Sequence, residues 1–125
     1  MFDHLSLGVR DLDAAGRFYD ALFAPLGAAK SLQKSTELAY GPGGATSLFW
    51  LYPVDGERVA GLGSHVAFTA DSRSAVDAAC AAALAHGATV LRAAGEHPDI
   101  APDYYGAVLL DPDGNKLEIV AGTMH

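Results

Sequence analysis

The sequence predicts an α+β protein made of two βαβββ modules, with one helix per module covering one face of curved, mixed sheets. Three observations carry that expectation. Residues 2 to 27 and 63 to 88 follow the same course: an alternating stretch, a polar helix-start signal, an Ala-rich helical run and a Gly-Ala exit at Gly27-Ala28 and Gly87-Ala88. Each helix is followed by three strand-like stretches. A Pro/Gly turn precedes the last of them in both halves, Gly41-Pro42-Gly43-Gly44-Ala45 in one and Asp111-Pro112-Asp113-Gly114-Asn115 in the other. The modules are expected at about residues 1–60 and 61–125 of a single domain.

The first strand falls on residues 2 to 9, where Leu5, Leu7 and Val9 alternate with His4, Ser6 and Gly8. Its counterpart, residues 65 to 70, sets Val66 and Phe68 against His65, Ala67 and Thr69. In both, the histidine shares its face with small residues, so there is room beside the imidazole for a cavity. Asp11 has the side chain of an N-cap, and Leu12, Ala15, Tyr19, Leu22, Phe23 and Leu26 recur at helical spacing behind it. The second helix follows Asp71-Ser72-Arg73-Ser74, with Val76, Ala79, Cys80, Ala83 and Leu84 as its stripe and Gly87 as its stop. The remaining strands are expected at 28–34, 36–41, 46–52, 88–92, 104–111 and 116–121. The repeat offset grows from 65 − 4 = 61 at the histidines to 111 − 41 = 70 at the turns. An insertion must therefore lie in the second half, and the polar, Pro-containing stretch 93–104 fits a functional or gating loop.

Composition narrows the function. The 125 residues are half apolar, enough for a real core, and no apolar run approaches the ~18 residues that cross a bilayer. No signal segment opens the chain, so the expected address is cytoplasmic. The single cysteine, Cys80, suits a reducing compartment and a buried position. A net charge of −7, from 15 acidic and 8 basic residues without a Lys/Arg cluster, argues against nucleic acid as a partner.

The chemistry points to three residues. Glu118 interrupts the otherwise apolar last strand, opposite in parity to Leu117 and Ile119, and a buried carboxylate must be paired, hydrogen-bonded or metal-bound. Two histidines and one carboxylate on separate strands are a ligand set for Fe(II), Mn(II) or catalytic zinc. Leu48, Trp50 and Tyr52 share one strand face, where they either stack on a flat substrate or fill the interior. His86, at the end of the second helix, reads as structural; Arg17 and Arg92 read as solvated.

Asp3-His4-Leu5, Phe18-Tyr19, Gly63-Ser64-His65-Val66-Ala67-Phe68, Tyr104-Tyr105-Gly106 and Asp111-Pro112-Asp113-Gly114-Asn115-Lys116-Leu117-Glu118 together resemble the vicinal oxygen chelate superfamily over essentially the whole chain. That group includes glyoxalase I, extradiol dioxygenases, fosfomycin resistance proteins, methylmalonyl-CoA epimerase and metal-free bleomycin resistance proteins. The resemblance implies a cup around a divalent ion (Fe, Mn, Ni or Zn) with His4, His65 and Glu118 as ligands. The offset of 70 puts Leu48 at the fourth ligand position, 118 − 70 = 48, which argues against a true glyoxalase I. For acid-base work the resemblance directs attention to the inserted loop, to His97 and Tyr105 as catalytic candidates with Tyr104 as a third, and Tyr104 is also expected beside Leu48, Trp50 and Tyr52 against the substrate. It also implies a small-molecule substrate and a homodimer in which His4 of one subunit faces His65 and Glu118 of the other. Two classes of function follow: a metal-dependent lyase, isomerase or dioxygenase, and a metal-free binding protein.

Overall fold

The computed structural model describes residues 1–56, 59, 61 and 63–122. The expected boundary between modules, near residue 60, lies outside the described residues. Two βαβββ units are present: β1 (Leu5–Val9), α1 (Leu12–Phe23) with a 3-10 turn (Ala24–Leu26), β2 (Ala28–Gln33), β3 (Leu38–Pro42) and β4 (Phe49–Pro53), then β5 (Val66–Ala70), α2 (Arg73–Ala85), β6 (Thr89–Glu96), β7 (Tyr105–Leu110) and β8 (Lys116–Ala121). Each unit forms a four-stranded mixed sheet, ordered β1-β4-β3-β2 and β5-β8-β7-β6. In both sheets the first and last strands of the module lie side by side in parallel, and the other pairings are antiparallel.

The helices start where their caps dictate. The Asp11 carboxylate accepts from the Ala14 amide at 3.0 Å, and the Ser72 hydroxyl accepts from the Ala75 amide at 3.1 Å. Strand parity then divides core from outer face. Phe49, Leu51, Leu117 and Ile119 join Phe18, Tyr19, Leu22 and Phe23 of α1 and Val76, Ala79 and Ala83 of α2 in one apolar core. Phe68 of β5 meets Phe23 and Phe49 edge-on, at ring separations of 4.9 and 5.3 Å, so the core is continuous from one module to the other. His4, Trp50, Tyr52 and Glu118 have the opposite parity and belong to the outer faces.

Several expectations change. Leu84 is half exposed rather than part of the α2 stripe. β6 continues to Glu96, well past residue 92, because bulges between Val90 and Arg92 and between Arg92 and Gly95 break the alternation while pairing with β7 continues. The inserted loop is thereby shortened to residues 97–104. β4 begins at Phe49, three residues later than expected.

Register corrects the repeat arithmetic. Leu5 pairs with Phe49 and Ser6 with Trp50, while Val66 pairs with Leu117 and Ala67 with Glu118. The equivalent of Glu118 is therefore Trp50, an offset of 118 − 50 = 68, and not Leu48. Two single-residue steps make the difference: Tyr40 pairs with Phe49 and Leu109 with Leu117, so Tyr40 is equivalent to Leu109 at an offset of 109 − 40 = 69 and the two turns are out of step by one, and the first module carries one residue more between β3 and β4. An indole stands where the second module has a carboxylate.

Candidate metal and substrate site

Glu118 is 7% exposed in the middle of β8, flanked in the sheet by Ala67 of β5 and Val108 of β7. Those small neighbours leave the carboxylate accessible to two longer side chains. The Tyr104 hydroxyl donates to Glu118 Oε1 at 2.8 Å, and His65 Nε2 lies 3.4 Å from Oε2. The histidine stands immediately before β5, and its side chain is about half exposed. Imidazole nitrogen and carboxylate oxygen are the donor types that first-row divalent ions take. Tyr104 itself is 2% exposed, and its phenol is held well above the ordinary tyrosine pKa, first by burial and then by the hydrogen bond to Glu118.

His4 lies elsewhere, on the outer face of the first sheet. Its Nδ1 is 2.6 Å from Asp3 Oδ1, and its ring meets Trp50 edge-on at 6.3 Å. Trp50 in turn lies parallel to Tyr52, with 7° between the ring planes and 6.2 Å between centroids. The indole is fixed by its Nε1, which donates to the Ser47 carbonyl at 3.1 Å. Within one chain, then, His65 and Glu118 converge and His4 joins the aromatic pair. Among the described residues no group of three or more His, Cys, Asp or Glu side chains is arranged to hold a metal ion.

The other candidates separate by parity. Tyr105, next to Tyr104 in sequence, faces α2: its hydroxyl donates to Asp77 at 2.7 Å and Arg73 lies over its ring at 4.8 Å. That orientation takes it away from Glu118 and removes it as a catalytic group there. His97 bonds the Ala93 carbonyl through Nε2 at 2.8 Å and packs against the Tyr104 ring at 5.7 Å, behind the tyrosine rather than beside the carboxylate. Tyr104 is buried with its hydroxyl engaged by Glu118, so it serves the carboxylate and is not a surface for substrate. Leu48 is 47% exposed and lies at the rim of an apolar cavity of about 330 Å³ between the modules, with Leu5, Phe23, Phe49 and Phe68. A smaller cavity of about 200 Å³ is lined by Ser6, Gly8, Ser64, His65, Asn115 and Lys116.

Sequence reasoning missed what holds the two modules in register at this second cavity. Asn115 Nδ2 donates to the Gly8 carbonyl at 2.9 Å, and the Arg10 amide donates to Asp113 at 3.1 Å. The Asp111 carboxylate organises that turn, accepting from the amides of Asp113 and Asn115, from Asn115 Nδ2 and from the Tyr19 hydroxyl. The Asp-Pro-Asp-Gly-Asn motif, read as a turn, is also an intermodule strap.

Paired βαβββ units, each with its first and last strands side by side and one with a histidine next to a buried carboxylate on that seam, define a protein of vicinal oxygen chelate architecture. The chain belongs to the Glyoxalase/Bleomycin resistance protein/Dioxygenase superfamily, whose family model matches residues 1–119. Among solved structures it is similar to a glyoxalase/bleomycin resistance protein from Albidiferax ferrireducens, at 32% identity over 98% of this chain and 99% of that one, with a TM-score of 0.82. At the level of fold it is also similar to a glyoxalase/bleomycin resistance protein/dioxygenase family enzyme from Burkholderia phytofirmans (24% identity, 94% and 95% of the chains, TM-score 0.71). A genomically encoded fosfomycin resistance protein from Listeria monocytogenes shares the fold as well (22% identity, 98% and 93% of the chains, TM-score 0.72). No curated protein sequence matches the chain.

Proposed function

We propose that this protein is a divalent-metal-dependent enzyme of lyase, isomerase or dioxygenase type, acting on a small molecule with vicinal oxygens. The observation that carries the reading is Glu118, a carboxylate 7% exposed with an imidazole nitrogen 3.4 Å away. His65 and Glu118 supply two ligands to Fe, Mn, Ni or Zn, and His4 of a second copy supplies the third. Two donors from one chain make a weak site, so the dimer is part of the proposal. It is supported by what the first sheet leaves open: Leu48, Tyr52 and Val54 are all more than a third exposed on or beside the face that carries His4.

A bound ion at such a site acts as a Lewis acid on paired substrate oxygens. The chain's own residues do the rest. Glu118 and His65 hold one side, Tyr104 keeps the carboxylate in place, and Trp50 with Tyr52 offers a fixed flat wall on which a planar part of the substrate can stack. With an indole rather than a carboxylate at the position equivalent to Glu118, the residues that would hold the ion are His65, Glu118 and His4 of a second copy.

A second reading, a metal-free binding protein, draws on a specific observation: both Glu118 oxygens already have partners in the chain, and no buried side-chain N or O among the described residues lacks one. Elemental analysis separates the readings. Protein purified without chelators or a metal-affinity tag is expected to carry about one Fe, Mn, Ni or Zn per chain, and the variant with His65→Ala and Glu118→Ala none. Absence of metal from the parent, even after incubation with each ion, would overturn the metal reading, and stoichiometric ligand uptake by that metal-free protein would support the binding one.

A further inference from the structure

Resting on the metal-site reading above, we propose that Tyr104 is a positioning residue that makes Glu118 a one-oxygen ligand. A phenol carries one proton to donate, and Tyr104 gives it to Oε1 at 2.8 Å. Only Oε2 then faces His65. The tyrosine is itself anchored at both ends of its backbone: its amide donates to the Ala101 carbonyl at 3.1 Å, and its carbonyl accepts from the His97 amide at 3.4 Å. The His97 ring packs against its side chain at 5.7 Å. The inserted loop, residues 97–104, thus acts through one hydroxyl. Its Pro98 and Pro102 stiffen the segment that carries the tyrosine to the carboxylate.

Partners of this kind, which orient a ligating group without touching the ion, change metal affinity by about ten- to a hundredfold when removed. A purely structural role for Tyr104, filling space beside a buried acid, would alter folding but leave the ligand's denticity alone. The two roles are separable by experiment. Co(II) and Mn(II) affinities, the Co(II) visible absorption spectrum and the melting temperature of the metal-free form are compared for the full-length parent, Tyr104→Phe and Tyr105→Phe.

Tyr104→Phe is expected to bind both ions about ten- to a hundredfold more weakly and to shift the Co(II) bands as the freed Oε1 becomes available to the ion. Tyr105→Phe, whose hydroxyl serves Asp77 on the far face, is expected to match the parent. A parent that loads Co(II) beside a Tyr104→Phe variant with the same affinity and the same spectrum would overturn the proposal and leave the metal site standing. A parent that takes up neither ion overturns the metal reading itself. Where Tyr104→Phe does not fold, the carboxylate infrared bands of the Mn(II)-loaded parent make the test: a Glu118 band splitting typical of one-oxygen ligation is expected, and a two-oxygen pattern overturns the proposal.

Discussion

The outer faces of the two sheets differ in what covers them. On the second sheet, Val108, Glu118 and Val120 are each less than a tenth exposed, and Tyr104 from the inserted loop reaches onto that face to meet the carboxylate. The first sheet has no such insertion, and its equivalent face shows Trp50 and Tyr52 beside an exposed His4. One face is covered around a carboxylate and the other is an open aromatic surface. Duplicated modules, once fused, need not keep duplicate chemistry: here one half keeps the acid and the other keeps the flat rings. A metal site that uses both halves must bring the two kinds of face together, which is the part the proposed dimer plays.

Mixing two inactive variants tests whether the acidic face of one copy is completed by the aromatic face of another. His4→Ala and Glu118→Ala are each expected to abolish metal binding as separate homodimers. Random exchange between them makes about half the dimers mixed, and a symmetric shared interface leaves one intact site in each mixed dimer. Metal content should then recover to about a quarter of the parent value. No recovery on mixing, with subunit exchange verified by mass, would mean that the site closes within one chain.

The two hairpin turns hold their shape by different means, and each should fail in its own way. In the first module the backbone itself is crowded: a Cβ on Gly41 would collide with the Thr46 carbonyl oxygen. In the second module Asp111, 3% exposed, gathers four hydrogen bonds. Asp111→Ala strands the buried Tyr19 hydroxyl and two amides, a loss of about 3 kcal/mol. Gly41→Ala should cost about as much through steric displacement. Only Asp111→Ala is expected to loosen the contact between modules, seen as faster hydrogen exchange at residues 8–10. Equal exchange in the two variants would mean that the strap through Asn115 does not depend on Asp111.

Trp50→Glu tests the register directly. A carboxylate at the position equivalent to Glu118 is expected to add a fourth protein ligand and tighten Mn(II) or Ni(II) binding about tenfold, roughly 1.4 kcal/mol. Leu48→Glu, the substitution suggested by counting from the turns, should leave affinity unchanged. The reverse result would show that the strand register does not govern which side chain meets the ion.

Much of this was legible in the sequence, for a physical reason. Alternation in β5 follows from one face packing on the core, whereas β8 is buried on both faces and shows only Glu118 against its apolar neighbours; the caps Asp11 and Ser72 announce their helices through local hydrogen bonds. That Glu118 and His65 belong together was implied by the family resemblance, and the two side chains lie 3.4 Å apart. What was hidden depended on single insertions and on parity at loop ends. One step in the matching of the turns and one extra residue between β3 and β4 together move the equivalence from Leu48 to Trp50, and they leave no mark because both turns retain their Pro and Gly. Tyr104 and Tyr105 are adjacent, so only the parity of Ala107 and Leu109 in β7 tells which one faces Glu118. That signal was available in the chain, since core residues at 107 and 109 put 105 on the core side and 104 on the other. The contact between Asn115 and Gly8 could not be read, because it joins residues 107 positions apart through the packing of one module against the other.

The smallest expected effect concerns the core beneath these faces. The first module is aromatic there, with Phe18, Tyr19, Phe23, Tyr40 and Phe49, whereas α2 contributes Val76, Ala79, Cys80 and Ala83. Burial, then the Asp20 carboxylate that accepts from its hydroxyl at 3.0 Å, pushes the Tyr40 phenol far above the ordinary range; Tyr19 is raised by burial and by Asp111. A raised pKa in the folded state means that the native protein keeps a proton the unfolded chain gives up. The contribution is constant below the unfolded tyrosine pKa of about 10 and is lost as pH climbs from there towards the folded value. Each such phenol steepens the decline by about 1.4 kcal/mol per pH unit. Tyr40→Phe should cost about 1 kcal/mol at neutral pH, for the lost hydrogen bond, and make denaturant midpoints fall less steeply between pH 10 and 11 than in the parent. Parallel alkaline profiles for the parent and Tyr40→Phe would mean that the aromatic half of the core opens before its tyrosines ionise, so that the larger rings do not make the first module the more firmly closed of the two.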